Sequence, residues 1–294
     1  MAGLVDLIES STSLAQRTKD LYTECVATFV EFAGEDASAY TSGMVEDWLA
    51  SLLKRGLKPQ TVNVYRKAIR FASKRFAKRE RERGRVDARD FGTDVDKIKM
   101  TASDPREPLT YEEAERLLAT CDAGELVDIR DRALIILALR SGLRRGGLRA
   151  LEMSGIRPPK ITTLNKGGSN ITFDADAETL AALAAWLEKL RQLGATRGSV
   201  FLNVRKGKIR GVMSAFQIWR MFDQRSKLAG IRHVFPHLAR HSTVTWLREA
   251  GASSMDVRQL TGQTERTIEN IYTHSRKRGA VGNALPSLFK KTGE

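Results

Sequence analysis

Five polar side chains in the second half of the chain have the types needed for one reaction at a phosphodiester. His237 and Arg240 lie three residues apart in FPHLARHS, so they share one face at the start of a helix. Arg144 and Arg240 could bind the non-bridging oxygens of a phosphate and stabilise the charge of the transition state. His237 could take the proton of Tyr272, while Lys166 could protonate the departing oxygen. The set predicts phosphodiester cleavage without a metal ion.

Each of these side chains also has a structural interpretation, and some alternatives stay open. Arg144 could stabilise the C-terminal end of a helix electrostatically. Lys166 could be an ordinary surface charge, and Lys160 and Lys208 are alternatives for the proton donor. A lone tyrosine on a helix usually packs against a core. Tyr272, however, is flanked by polar residues and followed by HSRKR, so we expect its hydroxyl to be functional.

Three histidines, His233, His237 and His241, are spaced four residues apart, as zinc ligands can be. No cysteine or carboxylate lies between them to complete a ligand set, so we predict no metal site. His241 is expected to pack or to position its neighbours, with contact to a DNA phosphate as the alternative.

The segments that must position these side chains mix helical and strand-like patterns. Thr110 and Glu113 have the spacing of a capping box, and the apolar run over 130–140 ends at Ser141-Gly142. KITTL and ITF flank NKGGSN, which predicts a β-hairpin with Lys166 at its tip. Further helices are predicted over 178–193, 214–228 and 237–250.

The N-terminal third has the apolar spacing of three helices. A basic stripe of Arg66, Arg70, Lys74 and Lys78, four residues apart, lies on the third of them. No acidic residue interleaves over 54–79, so pairing within the helix cannot explain the stripe, and we favour contact with phosphates over a solvated face. The apolar positions are Leu21, Cys25, Phe29 and Phe32, then Val45, Trp48, Leu49 and Leu52, then Tyr65, Ile69, Ala72 and Phe76.

The composition of the chain also favours a polyanionic partner. Lysine and arginine number 49 against 35 acidic residues, a formal net charge of +14. Such an excess favours nucleic acid or an anionic membrane surface, with a merely soluble basic protein as the alternative. No apolar run could span a bilayer, and the N-terminus lacks the pattern of a signal peptide. Cys25 and Cys121 fit buried thiols in a reducing compartment, so we expect a cytoplasmic protein.

Five segments follow one another in an order that one protein family shares. They are KPQTVNVYRKAIRFASK, GLRRGGLRAL with Arg144, NKGGSNITF with Lys166, HLARHSTVTWLREAG with His237 and Arg240, and LTGQTERTIENIYTH with Tyr272. They resemble the core-binding domain and the first-arginine, lysine-hairpin, His-x-x-Arg and tyrosine boxes of the tyrosine recombinases (phage integrase family). The resemblance covers about residues 12–280.

The resemblance implies a mainly α fold with a small antiparallel β-sheet, arranged as a two-domain DNA clamp. A helical core-binding domain would span residues 1–80, and an α+β catalytic domain would span residues 105–294. A linker over residues 81–104 would join them. The partners implied are double-stranded recombination sites and further copies of the chain, as a homotetramer on synapsed DNA. The implied protein is nucleoid-associated and of prokaryotic or viral origin. The tail over 280–289 either docks into a neighbouring subunit or folds onto its own domain.

The resemblance also assigns a reaction, site-specific recombination, and a role to each side chain. Tyr272 would attack the scissile phosphate and form a 3′-phosphotyrosine with a free 5′-hydroxyl, so neither metal nor cofactor is needed. Arg144 and Arg240 would bind the phosphate oxygens. His237 would help to move the tyrosyl proton, and Lys166 would be the general acid. A topoisomerase-like enzyme is an alternative, because it would use the same type of active site and the same chemistry.

Two positions depart from the family pattern. Gln263 stands where the family usually has histidine or tryptophan, and its amide can donate a hydrogen bond to a phosphate oxygen without carrying charge. Gly147 stands where the family usually has glutamate. Both departures keep a second function open, that of a catalytically weakened relative acting as a DNA-binding or accessory protein.

Overall fold

The computed structural model describes residues 3–99, 107–164 and 168–269. The chain divides into two compact units, Met1–Ser103 and Asp104–Glu294. Helices dominate both units, and the second also contains antiparallel β-strands, so the predicted fold class is confirmed. Within these described ranges, no helix has the length and hydrophobicity of a membrane span.

The first unit is built around an aromatic core. Phe29 packs edge to face against Trp48, with the ring centroids 5.1 Å apart. Leu21 and Phe32, predicted to be apolar core positions, are instead 45% and 49% exposed, because the second helix turns Cys25 and Phe29 inward. The helices described in this unit are α1 (Leu4–Glu9), α2 (Gln16–Ala33), α3 (Ser42–Lys54) and α4 (Pro59–Glu82).

Residues 83–99 continue from α4 and pack back against the first unit. Phe91 and Val95 are 3% and 2% exposed and belong to its core. The Arg66 guanidinium on α4 donates to the Val95 carbonyl, with Nε to O at 2.8 Å. Within the linker predicted over 81–104, Phe91 and Val95 are therefore packed into the core of the first unit. The domain limits themselves stay a prediction.

The second unit is organised around one buried helix, α6. The consecutive residues from Ala133 to Leu139 are at most 1% exposed, and α8 and α10 pack against them. The helices predicted over 178–193, 214–228 and 237–250 are confirmed, and each predicted end lies within one residue of the observed end. The described helices are α5 (Tyr111–Ala119), α6 (Leu126–Ser141), α7 (Arg145–Ala150), α8 (Ala177–Gln192), α9 (Ala215–Leu228), α10 (Pro236–Glu249) and α11 (Ser254–Thr261).

Two small antiparallel sheets flank these helices in the described part of the second unit. One has the strand order β1-β2-β3, and the other pairs β4 with β5. The predicted hairpin is confirmed as β2 and β3, whose last described pair before the loop is Leu164 opposite Asn170. The strands are β1 (Ile156–Arg157), β2 (Lys160–Leu164), β3 (Asn170–Asp174), β4 (Leu202–Arg205) and β5 (Lys208–Val212).

A buried ionic cluster ties α6 to α9. Arg225 Nη2 lies 2.6 Å from Asp128 Oδ1 and 2.7 Å from Asp131 Oδ2. Arg130 Nε donates to the other oxygen of Asp131 at 2.9 Å. All four side chains belong to residues that are less than 9% exposed. The hydrogen bonds offset the cost of burying these charges, and the cluster links α6 to α9 through Arg225.

Candidate active site

Arg240 is the most deeply buried charge of the candidate site. It lies in the second turn of α10 and is 1% exposed. Its Nη1 donates to the Gly142 carbonyl at 2.5 Å. Arginine has only donors, so the facing atom of the Gln263 amide must be its oxygen. In that orientation the oxygen accepts from Arg240 Nε at 2.8 Å and from Nη2 at 3.1 Å.

Arg144 is the second positive charge of the same site. It is the N-terminal cap residue of α7, and its Nη1 donates to the Gly262 carbonyl at 3.4 Å. Burial, and then the positive charge of Arg144, lower the pKa of Arg240 to about 9. An anion bound beside Arg240 would offset this unfavourable effect on its charged form. The arrangement therefore suits a phosphate.

Two glycines in the left-handed conformation present the carbonyls that hold these arginines. Gly142 ends α6 with φ +59°, and Gly262 ends α11 with φ +63°. A Cβ at Gly142 would lie 3.0 Å from Thr261 Cγ2, so the threonine side chain would have to move by a few tenths of an ångström. The left-handed backbone and this close approach together favour glycine at residue 142, where the chain turns its carbonyl toward Arg240.

The histidines predicted near this site occupy different surroundings. His237 is exposed and lies one turn before Arg240 on α10, while His241 is half-buried one residue after it. His233 lies outside α10, and its Nδ1 is 2.8 Å from Asp223 Oδ1. In the part of the chain that the structure describes, no group of three His, Cys, Asp or Glu side chains could hold a metal ion.

The predicted lysine and tyrosine, Lys166 and Tyr272, lie outside the described residues. Strand β2, which ends at Leu164, is fixed beside α7, because Thr163 Oγ1 donates to the Gly147 carbonyl at 2.8 Å. A Cβ at Gly147 would approach the Leu164 carbonyl to 3.3 Å. Glycine at 147 thus allows close contact between α7 and the end of β2, and a larger side chain would require a small shift.

The alternative proton donors are also placed by the structure. Lys160 Nζ lies 3.2 Å from Asp174 Oδ1 across β2 and β3, and both side chains are more than 60% exposed. Lys208 is exposed at the start of β5. The choice among Lys166, Lys160 and Lys208 stays a prediction.

The segment that leads to Tyr272 is anchored to α10 and α11. Residues 265–269 are helical, and Ile268 is fully buried against Val244 and Val257. Arg248 Nη2 on α10 lies 3.6 Å from Glu269 Oε1. The described chain therefore reaches a point three residues before the tyrosine while still packed on the helix that carries Arg240.

The basic stripe predicted on α4 is only partly exposed. Arg66 and Arg70 are half-buried, and the bond of Arg66 to the Val95 carbonyl gives it a structural role. Lys74 and Lys78 are exposed. Whether this stripe contacts DNA stays a prediction.

Sequence reasoning missed a second exposed basic group, at the tip of the β4–β5 hairpin. Its turn is formed by Lys206 and Gly207, with φ values of +50° and +66°. This pattern of positive φ is typical of a tight hairpin turn, and Lys-Gly in RKGKIR was the available signal. The exposed cations are Arg205, Lys206, Lys208 and Arg210.

Comparison with known proteins identifies the family. The phage integrase family model matches residues 107–278, more than half of the chain, so the chain belongs to the phage integrase family of tyrosine recombinases. The resemblance inferred from the motifs is thereby confirmed.

Individual relatives agree with this assignment. The tyrosine recombinase XerC of Haemophilus ducreyi is 33% identical over 168 residues, 55% of this chain and 54% of the relative. XerC of Xanthomonas campestris pv. campestris is 27% identical over 277 residues, covering 91% of this chain and 81% of the relative. The chain spans about half the length of the first curated relatives it matches. The structure of a lambda integrase tetramer bound to a Holliday junction aligns with a TM-score of 0.68 at 16% identity, over 91% of this chain and 74% of that one.

Proposed function

We propose that the protein is a site-specific DNA recombinase that cuts and rejoins strands through a 3′-phosphotyrosine at Tyr272. Arg144 and Arg240 bind the scissile phosphate, His237 assists the tyrosyl proton transfer, and Lys166 protonates the leaving 5′ oxygen. The observation that carries the proposal is the pair of guanidiniums held in one site by neutral oxygens of Gly142, Gly262 and Gln263. The oxygens that accept from Arg240 are neutral, so they leave its positive charge available for a phosphate.

The reaction balances without an external reagent. The tyrosyl oxygen forms a bond to phosphorus as the 5′ oxygen leaves and takes a proton. The reverse attack by a 5′-hydroxyl of the partner strand forms the new phosphodiester and frees the tyrosine. The substrate is therefore double-stranded DNA with a defined crossover site, and assembly into a tetramer on two such sites is part of the proposal. The docking role of the tail over 280–289, which lies outside the described residues, is likewise a proposal.

A second candidate function is DNA binding without cleavage, as an accessory protein. Gln263 and Gly147 favour it, because neither can carry the charge that histidine or glutamate would bring to those positions. Gln263 bonds to Arg240 in the site, and Gly147 packs tightly under β2. Both positions are therefore compatible with an ordered site, which supports the enzyme as the first candidate.

The test uses a nicked duplex of a candidate site taken from the DNA that flanks the gene. Without metal, we expect the wild type to form a covalent protein–DNA species on a denaturing gel, and the Tyr272→Phe variant to form none. The nick lets the cleaved fragment diffuse away, so that the adduct accumulates. A wild type that shifts the duplex in a native gel but forms no adduct would support the accessory protein and contradict the recombinase.

A separate prediction concerns the basic stripe on α4. The affinity of the Lys74→Gln variant should depend less steeply on salt. Its slope of log affinity against log salt concentration should be less negative by about 0.9, the value for one lost phosphate contact. The Lys67→Gln variant is the matched control, because Lys67 is also exposed on α4 but lies outside the stripe. Arg66→Gln should leave the slope unchanged and destabilise the first unit, because Arg66 bonds to the Val95 carbonyl.

Titration of the duplex at four salt concentrations measures these slopes. Equal slopes for the Lys74 variant and the wild type would remove Lys74 from the DNA contact. A change of the same size in the Lys67 variant would show that the effect is one of net charge and has no relation to the stripe.

A further inference from the structure

The side chain of Gln263 is occupied by a contact inside the protein. Gln263 is 5% exposed, directly after the left-handed Gly262 that ends α11. Its amide oxygen accepts two hydrogen bonds from Arg240, from Nε at 2.8 Å and from Nη2 at 3.1 Å. Because both bonds come from one edge of a rigid guanidinium, they fix the rotation of its plane.

This contact leaves part of the Arg240 guanidinium for an anion. Arginine has five N–H donors. Gln263 takes two of them, and the Gly142 carbonyl takes one on Nη1. In the described residues, therefore, one N–H on each terminal nitrogen remains for a phosphate. A phosphate that approaches the end of the guanidinium can use both.

The residue before Gln263 holds the other arginine. The Gly262 carbonyl accepts from Arg144 Nη1 at 3.4 Å. Two consecutive residues therefore touch both guanidiniums, Gly262 through its backbone and Gln263 through its side chain. The preceding Thr261 is 1% exposed and packs beside Gly142, so the support of the pair is rigid.

We propose that Gly262-Gln263 sets the positions of both arginines, and that Gln263 promotes cleavage through Arg240 as a positioning residue. This inference rests on the proposed function. An amide oxygen suits the task, because it accepts two hydrogen bonds and carries no charge. A carboxylate would accept the same bonds but would cancel the charge that Arg240 offers the phosphate. An imidazole nitrogen could accept only one bond.

The test is a double-mutant cycle read out as the single-turnover rate of adduct formation on the nicked duplex. Gln263→Met keeps the length of the side chain without its acceptor, and we expect it to slow the adduct roughly 10- to 100-fold, as the loss of hydrogen bonds to a charged group would. In an Arg240→Lys background the same change should cost less than about 3-fold, because lysine lacks the guanidinium edge that Gln263 orients. Gln259→Met, at an exposed position on α11, is the matched control and should leave the rate unchanged.

An equal loss in both backgrounds would overturn the inference, because Gln263 would then contact the phosphate directly. A second readout separates this inference from the proposed function. In nuclear magnetic resonance spectra of the free protein, the Arg240 Nε–H proton should exchange slowly with water in the wild type and in Gln263→Glu, and rapidly in Gln263→Met. Rapid exchange in the wild type would contradict the contact itself. Slow exchange without any adduct would support the positioning contact and contradict the proposed cleavage.

Discussion

The Arg240→Lys variant is expected to bind its DNA site as the wild type does, but to form the covalent adduct roughly 100- to 1000-fold more slowly. Lysine keeps the positive charge. It cannot reproduce three hydrogen bonds to Gly142 and Gln263 while still presenting two N–H groups to a phosphate. Because the loss lies in transition-state stabilisation, we expect the adduct rate to fall while the dissociation constant of the duplex changes little.

Arg116→Lys is the matched control for this variant. Arg116 also donates to a glycine carbonyl, with Nη2 3.1 Å from the Gly230 oxygen, but it is exposed on α5. We expect its adduct rate to stay within about 3-fold of the wild type. Single-turnover cleavage measures both variants. An Arg240→Lys protein that cleaves at the wild-type rate would contradict the placement of Arg240 at the scissile phosphate.

The second large effect concerns stability. Arg225→Met is expected to lower the free energy of unfolding by about 3–5 kcal/mol, because it leaves Asp128 and Asp131 buried without their main cation. Burial works to lower the pKa of Arg225, but the attraction of Asp131 and the hydrogen bonds to both carboxylates raise it. The guanidinium is therefore charged in the folded protein, and its removal takes the ion-pair partner from Asp128 and leaves Asp131 paired with Arg130 alone.

Urea denaturation followed by circular dichroism measures this change. Adding Asp128→Asn to Arg225→Met should recover part of the loss, because it removes the buried carboxylate that has lost its ion-pair partner. Arg191→Met is the control, because Arg191 pairs with Glu188 at 2.7 Å on the surface of α8. We expect the midpoint of urea denaturation of this variant to match that of the wild type. A small loss for Arg225→Met with no recovery would mean that the cluster does not hold α6 against α9.

Local patterns were sufficient to predict the elements that carry the site. The apolar run over 130–140 predicted α6, and the residues around NKGGSN predicted the β2–β3 hairpin. The spacing of His237 and Arg240 placed both at the start of α10. Each of these signals depends on residues only a few positions apart, so helix and strand periodicity could reveal it.

The contacts that define the site lie far apart in sequence. Arg144 meets the Gly262 carbonyl, and Gln263 meets Arg240, only after the helices of the second unit have packed. No periodicity connects such positions. The sequence led us to expect that Gln263 donates to a phosphate, whereas its bond to Arg240 depends on the end of α11 turning at Gly262.

Two other contacts in the first unit also depend on residues far apart in sequence. Phe91 and Val95 are separated by polar residues, so the segment resembled a linker, yet both side chains are buried in the first unit. Arg66 fits the basic stripe by spacing alone, but its guanidinium bonds to the Val95 carbonyl brought back by that segment. In both cases the long-range fold of the chain decided the role of a side chain.

The identity of the residue that becomes attached to DNA tests the central claim most directly. Trypsin should release residues 267–276, TIENIYTHSR, in which Tyr272 is the only tyrosine. After digestion of the adduct with trypsin and nuclease, mass spectrometry should find this peptide with a nucleotide joined to Tyr272. Attachment at Thr273, Ser275 or a residue elsewhere in the chain would contradict the account, and so would an adduct of equal yield from the Tyr272→Phe variant.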